Sequence, residues 1–494
     1  MTSNTVDLRD VQGVILRGYN MDVTRFFILQ INDGAKARQF TGLLVSGEGS
    51  VPQITTSEHW GPVKPDHCLN IGFTFKGLEA LQVDPSYLGS FPQTFQDGAA
   101  AAAATVGDTG DSAPANWVGG LSDVNSVHVV LALYAQNAAI LDQVSETLRG
   151  LFAQYAITEL SAQDANNLPN PDEMYSQYGK IHFGYTDGIS QPRIAGTPSE
   201  HSIPDHQPLS PTGEFLMGYP SQNPNQTYRV SPPELSLNSS FAAFRILKQD
   251  VAAFESFLGT AGQYGLDPEK LAAKVSGRWR NGVPLMFSPD TPWPDPPTPA
   301  DQLNNYDYVP DTSAGASAPA AGSGEAVKDP PPYPDDTCGF VCPIGSHMRR
   351  GNPRGEAVVG GGQHLHRILR RGVPYGPPYD PKNPDDIERG LVGFFINADL
   401  ANQFEFLMTN WINSPTPFVM ANKCPNGGNT FFNVSGNDVF LGDNDPATSS
   451  FTLANPDGKN TVVKGFDRFI ITRGGAYCYL PSRTAMKYLA NPQG

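Results

Sequence analysis

Three short segments combine residue types that could carry chemistry. The first covers residues 183–192, where two glycines and a proline surround a single carboxylate, Asp187. Glycine and proline favour tight turns, so this segment should hold Asp187 in a fixed orientation. That orientation suits a reacting group, but it also suits a carboxylate that only caps a turn. The segment alone leaves both roles open.

The second segment covers residues 342–354 and pairs one histidine with a cluster of arginines. His347 is followed by Arg349, Arg350 and Arg354. An isolated histidine is usually structural, whereas arginines bind carboxylates through paired hydrogen bonds. A histidine beside anion-binding arginines is what a haem requires, with iron at its centre and propionates at its rim.

The third segment covers residues 364–376 and contains two histidines followed by two adjacent arginines. His364 and His366 could bind a metal from one face of a strand, but no carboxylate is close in sequence. A basic strand that ends in a turn explains the segment equally well. Without other information, that structural interpretation is preferred.

Alternating and helical spacings of apolar residues indicate the elements that must position these segments. Strands are predicted at residues 26–31, 69–75, 127–133, 241–247, 391–396, 469–472 and 477–480. Helices are predicted around residues 40–44, 140–152, 249–258, 268–280 and 400–411. The order predicts an α+β fold with two ferredoxin-like halves, each an antiparallel sheet with peripheral helices. We place the N-terminal domain at 1–190 and the C-terminal domain at 191–494, with a Pro/Gly/Ala-rich insertion near 289–334.

Composition excludes several classes of protein. The 494 residues include 39% hydrophobic residues, which supports a folded core rather than general disorder. The net charge of −16 disfavours nucleic acid and anionic membrane as partners. No apolar run is long enough for a membrane helix, and the N-terminus lacks the features of a signal peptide. The five cysteines are scattered and imply no disulfide framework.

Taken together, the segments resemble the dye-decolorizing peroxidase family. Gly184-x-x-Asp187-Gly188, followed by Ile-Ser-Gln-Pro, matches the family's signature. The similarity covers nearly the whole chain, and the Pro-rich insertions resemble the longer, fungal branch. The other matching stretches surround His347 and include residues 10–16, 277–279, 370–376 and 473–477.

The resemblance implies a dimeric α+β barrel-type fold that holds one haem b per chain, mainly in the second half. His347 would be the ligand of the haem iron, and Asp187 would move the peroxide proton between the two oxygens. Arg370 would stabilise developing negative charge, with Arg371 as the alternative. The haem propionates would be bound by Arg349 and Arg354.

One position departs from the family pattern. The family commonly has Gly-Leu-Leu-Phe in the strand after the distal arginine, whereas this chain has Gly-Leu-Val-Gly-Phe-Phe at residues 390–395. Leu391 fits the apolar distal pocket, but Gly393 stands where the aromatic residue is expected. Either the distal side is roomier than usual or Phe394 fills the space.

Bulky dyes cannot enter a buried haem pocket, so the resemblance also implies electron transfer through surface Trp and Tyr radicals. Trp411 and Tyr375 match family positions linked to such a relay, and core packing is the alternative role for each. The acidic residues Asp380, Asp385, Asp386 and Glu388 could bind manganese(II), which prefers oxygen ligands. A solvated acidic loop explains the same residues.

The function implied is a hydrogen-peroxide-dependent oxidoreductase that oxidises dyes, phenols and lignin-derived aromatics, with manganese(II) as a further candidate, through an oxoferryl intermediate. The main alternative is a non-catalytic haem-binding or haem-transfer protein, which would need neither Asp187 nor Arg370. An extracellular location is expected from the resemblance. Sequons stand at Asn225, Asn238 and Asn433. The sequence leaves open whether the protein is a monomer or a homodimer.

Overall fold

The computed structural model describes residues 5–491, apart from 48, 50, 202–206, 224, 309–330, 356–363 and 416–435. The strands are β1 (Val23–Ile31), β2 (His67–Phe73), β3 (Val129–Ala135), β4 (Ile157–Asn166), β5 (Gly179–Lys180), β6 (Thr186–Asp187), β7 (Ser240–Gln249), β8 (Leu369–Tyr375), β9 (Gly390–Asn397), β10 (Ser450–Leu453), β11 (Thr461–Lys464) and β12 (Ile470–Leu480).

The α-helices are α1 (Gly13–Leu16), α2 (Gly34–Ser46), α3 (Phe75–Ala80), α4 (Pro85–Leu88), α5 (Gln93–Asp97), α6 (Ala99–Ala102), α7 (Ala138–Gln154), α8 (Pro233–Ser236), α9 (Val251–Leu258), α10 (Pro268–Ser276), α11 (His347–Gly351) and α12 (Arg483–Ala490). Two consecutive π-helical stretches follow β9, at Ala401–Glu405 and Leu407–Ile412. Short 3-10 helices lie at Gly110–Ser112, Pro114–Asn116, Glu173–Tyr175, Pro198–His201, Thr212–Glu214, Ala261–Tyr264 and Ala300–Gln302.

The main sheet is built from two four-stranded halves with the same internal order. The strand order is β4-β1-β3-β2 in the first half and β12-β7-β9-β8 in the second. When the four strands of each half are numbered 1 to 4 along the chain, both orders are 4-1-3-2. All pairings are antiparallel, and the halves join where Tyr479 of β12 pairs with Phe73 of β2. This repeated order is ferredoxin-like, which confirms the predicted duplicated α+β fold.

The sheet curls until its two end strands, β4 and β8, approach within 8 Å between Cα atoms. Three phenylalanine rings from both halves meet in the interior, with centroids 5.6 to 5.9 Å apart: Phe26, Phe244 and Phe394. Each is at most 1% exposed. Burial of one such side chain contributes about 1.5–3 kcal/mol, so this contact joins the two halves strongly.

Several boundaries differ from the prediction. The two strands expected at the C-terminus are one strand, β12, with an irregular register between Thr472 and Gly474 that interrupts its apolar alternation. The strand predicted to reach residue 75 ends at residue 73, because Thr74 caps α3. Helix α10 ends at Ser276 because Gly277 adopts a left-handed φ of 96°. The described residues between 167 and 239 belong to neither half of the main sheet, so the domain boundary at 190 stays a prediction.

Other sequence features have clear structural outcomes. Cys338 is disulfide-bonded, which the scattered cysteines did not predict, while Cys68, Cys342 and Cys478 are free and buried. Asn238 is only 3% exposed and donates a hydrogen bond from Nδ2 to Asp10, so its sequon is not accessible. Asn225 is exposed, and Asn433 lies outside the described residues. Within the described ranges, no helix is long and apolar enough to cross a membrane.

Candidate active site

Asp187 ends the second strand of a short hairpin, β5–β6, whose strands are two residues long. Strand β6 pairs with β5, and the flanking Gly184 and Gly188 both take positive φ values near 87°, which the turn requires. The backbone N–H of Thr186 donates to the carbonyl of Arg280 at 3.0 Å, which fixes the hairpin. The Asp187 side chain itself is exposed. The hairpin thus presents a carboxylate outward from a rigid base.

The residues after Asp187 fix strand β8. Gln191 donates from Nε2 to the carbonyl of Arg370 at 3.1 Å and accepts from its backbone N–H at 3.2 Å. The guanidinium of Arg370 donates to the carbonyl of Ser190. The Ser-Gln pair of the motif therefore places Arg370 beside the Asp187 loop.

The two adjacent arginines point in different directions. Burial lowers the pKa of Arg370, and the nearby negative charge of Asp187 opposes this shift. Arg371 instead donates to the carbonyls of Val14 and Ile15, at 2.8 and 3.0 Å. The structure therefore brings Arg370, and not Arg371, together with Asp187.

His347 begins helix α11 and is held by a buried carboxylate. Its Nδ1 donates to Oδ2 of Asp438 at 3.0 Å, and Asp438 is wholly buried. The other carboxylate oxygen accepts from the backbone N–H groups of Phe440 and Leu441 at 2.9 and 2.8 Å. Burial would raise the pKa of Asp438, but His347, Arg350 and these hydrogen bonds outweigh it and lower that pKa.

This arrangement leaves Nε2 of His347 available as a ligand. The histidine side chain is 32% exposed, and Nε2 makes no hydrogen bond within the described part of the chain. A carboxylate behind a histidine fixes its tautomer and ring orientation and makes it a more basic metal ligand. Asp438 was missed from the sequence because it lies 91 positions away in an ordinary loop.

The segment around Gly277 connects the Asp187 hairpin to the His347 helix. A Cβ atom added at Gly277 would lie 3.2 Å from Cβ of Met348, so this turn packs directly on α11. Three residues on, the carbonyl of Arg280 holds the hairpin. The Phe440 ring also lies 5.5 Å from His347 and 5.4 Å from Phe183. The two predicted segments therefore border one region.

The predicted propionate contacts, Arg349 and Arg354, are engaged elsewhere. Arg349 has no exposed surface and pairs with Asp336 at 3.0 Å. Arg354 is 1% exposed, donates to Asn304 and to the carbonyl of Tyr306, and lies 3.9 Å from the centre of the Tyr306 ring. Both side chains therefore stabilise the surrounding loops, and their contact with propionates stays a prediction.

Arg278 is a better anion ligand than either of these residues. It is 3% exposed, and only Nη1 is satisfied, by the carbonyls of Gly282 and Leu303 at 3.0 and 2.7 Å. Nε and Nη2 are buried without hydrogen-bond partners, and no carboxylate of the described residues pairs with them. Because an unpaired buried cation is costly, Arg278 fits a carboxylate-bearing ligand such as haem.

The β9 residues predicted to line the distal pocket alternate between the two faces of the strand. Phe394 pairs with Arg371 and points into the barrel interior, so it does not fill the space left by Gly393, contrary to one of the two expectations. Leu391 is half-buried on the same face as Gly393. A Cβ at Gly393 would collide with the carbonyl of Arg371, whereas one at the opposing Gly372 would meet open space.

The two relay candidates are buried rather than at the surface. Trp411 is 0% exposed and Tyr375 is 5% exposed. The carbonyl of Trp411 accepts from Arg350 at 2.6 Å, and the next carbonyl, of Ile412, accepts from the backbone of Asp438 at 2.8 Å. Trp411 is therefore attached to the support of His347.

The remaining metal candidates do not form a site. Asp385 pairs with Arg389 at 2.8 Å, and Glu388 is engaged by Tyr375 and Arg473. His366 stacks on Phe406 with centroids 3.7 Å apart. The described residues contain no cluster of three or more His, Cys, Asp or Glu side chains suited to a metal ion.

The duplicated sheets and the carboxylate-held histidine define an α+β barrel protein with a site suited to an iron cofactor. Residues 10–169 match the family model described as the DyP dimeric alpha+beta barrel domain. The chain is 28% identical to a dye-decolorizing peroxidase of Mycena epipterygia, over 99% of this chain and 88% of that protein. A crystal structure titled DyP superposes with a TM-score of 0.77, at 25% identity and 98% coverage of both chains. A dye-decolorizing peroxidase crystallised with 2,6-dimethoxyphenol superposes with a TM-score of 0.74, at 26% identity, covering 98% of this chain and all of that one.

The chain is therefore similar to the dye-decolorizing peroxidases over nearly its whole length, and its residues 10–169 match the barrel domain of that family. These similarities identify it as a peroxidase, and so as an oxidoreductase.

Proposed function

We propose that this peroxidase uses one haem b per chain to oxidise aromatic dyes, phenols and lignin-derived aromatics at the expense of hydrogen peroxide. The observation that carries the proposal is the His347–Asp438 pair, which leaves Nε2 of His347 free. Through the Phe440 ring, His347 is a neighbour of Phe183 in the segment that carries Asp187. A non-catalytic haem carrier would need the histidine but neither Asp187 nor Arg370.

The chain's own residues fit the haem. His347 would hold the iron, Asp438 would fix its ring, and the unsatisfied nitrogens of Arg278 would bind a propionate carboxylate. When bound, haem supplies the redox chemistry that accepts oxidising equivalents from peroxide and passes them on as single electrons.

Asp187 moves the proton. As a carboxylate, it would accept a proton from one oxygen of hydrogen peroxide and return it to the other, which leaves as water. The exposed side chain on a rigid hairpin suits this task, because it can reach a small ligand without rearrangement of the backbone.

Arg370 supplies a fixed positive charge beside Asp187. Its guanidinium is anchored on the carbonyl of Ser190, so its charge needs little reorganisation when the O–O bond breaks. Arg371 holds the N-terminal helix instead. The two adjacent arginines would therefore have different roles, Arg370 at the site and Arg371 in the fold.

Substrates too large for the pocket would be oxidised through Trp411 and Tyr375. Since both are buried, they would pass electrons on from a site nearer the surface and would not themselves be the surface sites expected from the sequence. Because Asp385 and Glu388 already pair with arginines, and no cluster of three or more metal-binding side chains forms among the described residues, we do not extend the proposal to manganese(II).

An extracellular location agrees with one further observation. Cys338 is disulfide-bonded, and disulfides persist mainly in oxidising compartments.

Reconstitution with haem b tests the proposal. The loaded protein should show a Soret band, consume peroxide and oxidise 2,6-dimethoxyphenol, and His347→Ala should lose the histidine ligation visible in the spectrum. A Soret band without peroxide turnover would favour the haem-binding alternative. Absence of a Soret band would overturn both.

A further inference from the structure

Lys180 is a half-buried lysine on strand β5 that has no part in the proton transfer described above. It pairs across the β5–β6 hairpin with Thr186, the residue before Asp187. Its Nζ donates to the Thr186 hydroxyl at 3.0 Å and to the backbone carbonyl of Arg280 at 2.8 Å. Both acceptors belong to the contact that fixes the hairpin, so Lys180 is part of that contact.

The carbonyl of Arg280 is the point where these hydrogen bonds meet. It accepts from the backbone N–H of Thr186 at 3.0 Å, from the Thr186 hydroxyl at 3.2 Å and from Lys180. The buried amide of Asn170 also donates to the Thr186 hydroxyl, at 3.4 Å. Both strands of the hairpin are therefore tied to one backbone oxygen, β6 through Thr186 and β5 through Lys180.

That oxygen belongs to the turn that carries Arg278, the proposed ligand of a haem propionate. Arg278 donates from Nη1 to the carbonyl of Gly282 at 3.0 Å, which closes the turn around residue 280. A single residue separates Arg278 from the carbonyl that Lys180 contacts. Lys180 therefore joins the hairpin of Asp187 to the segment that would hold the cofactor.

We propose that Lys180 is the positioning residue for Asp187 and sets where its carboxylate meets hydrogen peroxide. This rests on the proposed function, in which Asp187 moves the peroxide proton. The strand that carries Asp187 is only two residues long, so its position depends on the contacts around Thr186. A displacement of about 1 Å can slow a reaction between positioned groups by about 100-fold, so loss of one of these contacts should affect the peroxide step.

The ammonium group suits this position better than a neutral side chain would. It carries three N–H donors and can serve two acceptors at once, and a charged donor makes the stronger hydrogen bond. Burial lowers the pKa of Lys180, and the negative charge of Asp172 opposes this shift. The two acceptors offset part of the cost of withdrawing the ammonium from water.

The test compares Lys180→Met, Lys180→Arg and Thr186→Val in the haem-loaded protein. Methionine keeps an unbranched side chain without a donor, whereas arginine keeps the charge and the donors. Stopped-flow absorption should show that peroxide reacts about tenfold more slowly with Lys180→Met and Thr186→Val, and that Lys180→Arg restores most of the rate. The following reduction by 2,6-dimethoxyphenol should change less than about twofold, because that step does not use Asp187.

Two further measurements connect the effect to this contact. Lys180→Met combined with Thr186→Val should be no slower than the slower single variant, because both changes remove the same hydrogen bond. In the protein without haem, hydrogen–deuterium exchange should be faster over residues 179–188 in Lys180→Met than in the wild type.

Lys274→Met is the matched control, because Lys274 is also half-buried and donates to two backbone carbonyls, those of Phe340 and Val341. It should react with peroxide at the wild-type rate. A wild-type rate in Lys180→Met, or equal slowing of the peroxide and phenol steps, would overturn the inference and leave the proposed function standing. A wild-type protein that does not react with peroxide would overturn the proposed function itself.

Discussion

At the scale of single residues, the Asp438 carboxylate determines how His347 can act. It is wholly buried, yet it is satisfied by two backbone N–H groups and by the imidazole. These partners keep it ionised, and a negative charge behind the ring favours one tautomer with Nε2 free. The histidine is therefore already oriented as a ligand.

Replacement of Asp438 by Asn should weaken haem retention about tenfold or more, because the neutral amide no longer fixes the tautomer or raises ligand basicity. Transfer of haem to an excess of apomyoglobin measures this loss. Asp457→Asn, at an exposed turn, is the control and should behave as wild type. Equal transfer rates for both variants would show that Asp438 does not support the ligand.

Site residues that stand inside short motifs could be predicted from the sequence. Their partners from distant parts of the chain could not. Asp187, His347 and Arg370 stand in motifs whose glycines, prolines and arginines are themselves informative. Asp438 is an isolated acid in a loop, and the unpaired nitrogens of Arg278 are visible only once the surrounding loops are packed. The sequence also did not show that Arg349 pairs with Asp336 and that Arg354 donates to Asn304.

At the scale of elements, strands β8 and β9 set the shape of the distal side. Gly372 and Gly393 face each other between the Arg370–Phe395 pair and the Pro374–Leu391 pair. Alternation places Phe394 on the opposite face, where it packs with Phe26 and Phe244. The two glycines therefore leave a gap beside Arg370.

Gly372→Leu should fill this gap without a backbone clash, because a Cβ there meets open space. We expect binding of 4-phenylimidazole to the ferric haem to weaken about tenfold, while imidazole binding changes less than about twofold. Absorption titration measures both. The control is Gly150→Leu, at an open position on α7. Unchanged 4-phenylimidazole affinity in Gly372→Leu would show that the gap is not part of the pocket.

The elements themselves were largely predictable because apolar periodicity survives in most of them. Strands β1, β3, β7 and β9 and helix α7 lie where the spacing indicated. The C-terminal strand was divided in two because Arg473, Gly474 and Gly475 interrupt its apolar pattern, although the backbone continues. Periodicity also predicted a helix after β9 without showing that it is π-helical.

At the scale of the whole molecule, charge links stability to pH. The net charge of −16 makes the folded surface self-repelling at neutral pH. Burial also raises the pKa values of Glu214 and Glu405. A carboxyl whose folded-state pKa is raised takes up its proton in the folded state first, so acidification stabilises the fold until the unfolded state is also protonated.

The melting temperature should therefore rise as the pH falls from 7 toward about 5 and decline below about 4, where the unfolded-state carboxyls are protonated. Asp438 acts oppositely: its lowered pKa gives stability that is lost as the pH falls through that value. Calorimetry across this range measures the maximum. Glu405→Gln should flatten the rise, and a melting temperature that falls steadily from pH 7 would contradict this account.

The most direct test of the central claim is the rate at which the haem-loaded protein reacts with hydrogen peroxide, compared between wild type and Asp187→Asn. Asparagine keeps the size of the side chain but cannot accept a proton. Stopped-flow absorption should show a fast spectral change with one equivalent of peroxide in the wild type, slowed by about 100-fold or more in the variant, with the same initial Soret band. A variant that reacts at the wild-type rate would contradict the assignment of Asp187 and the peroxidase mechanism built around it.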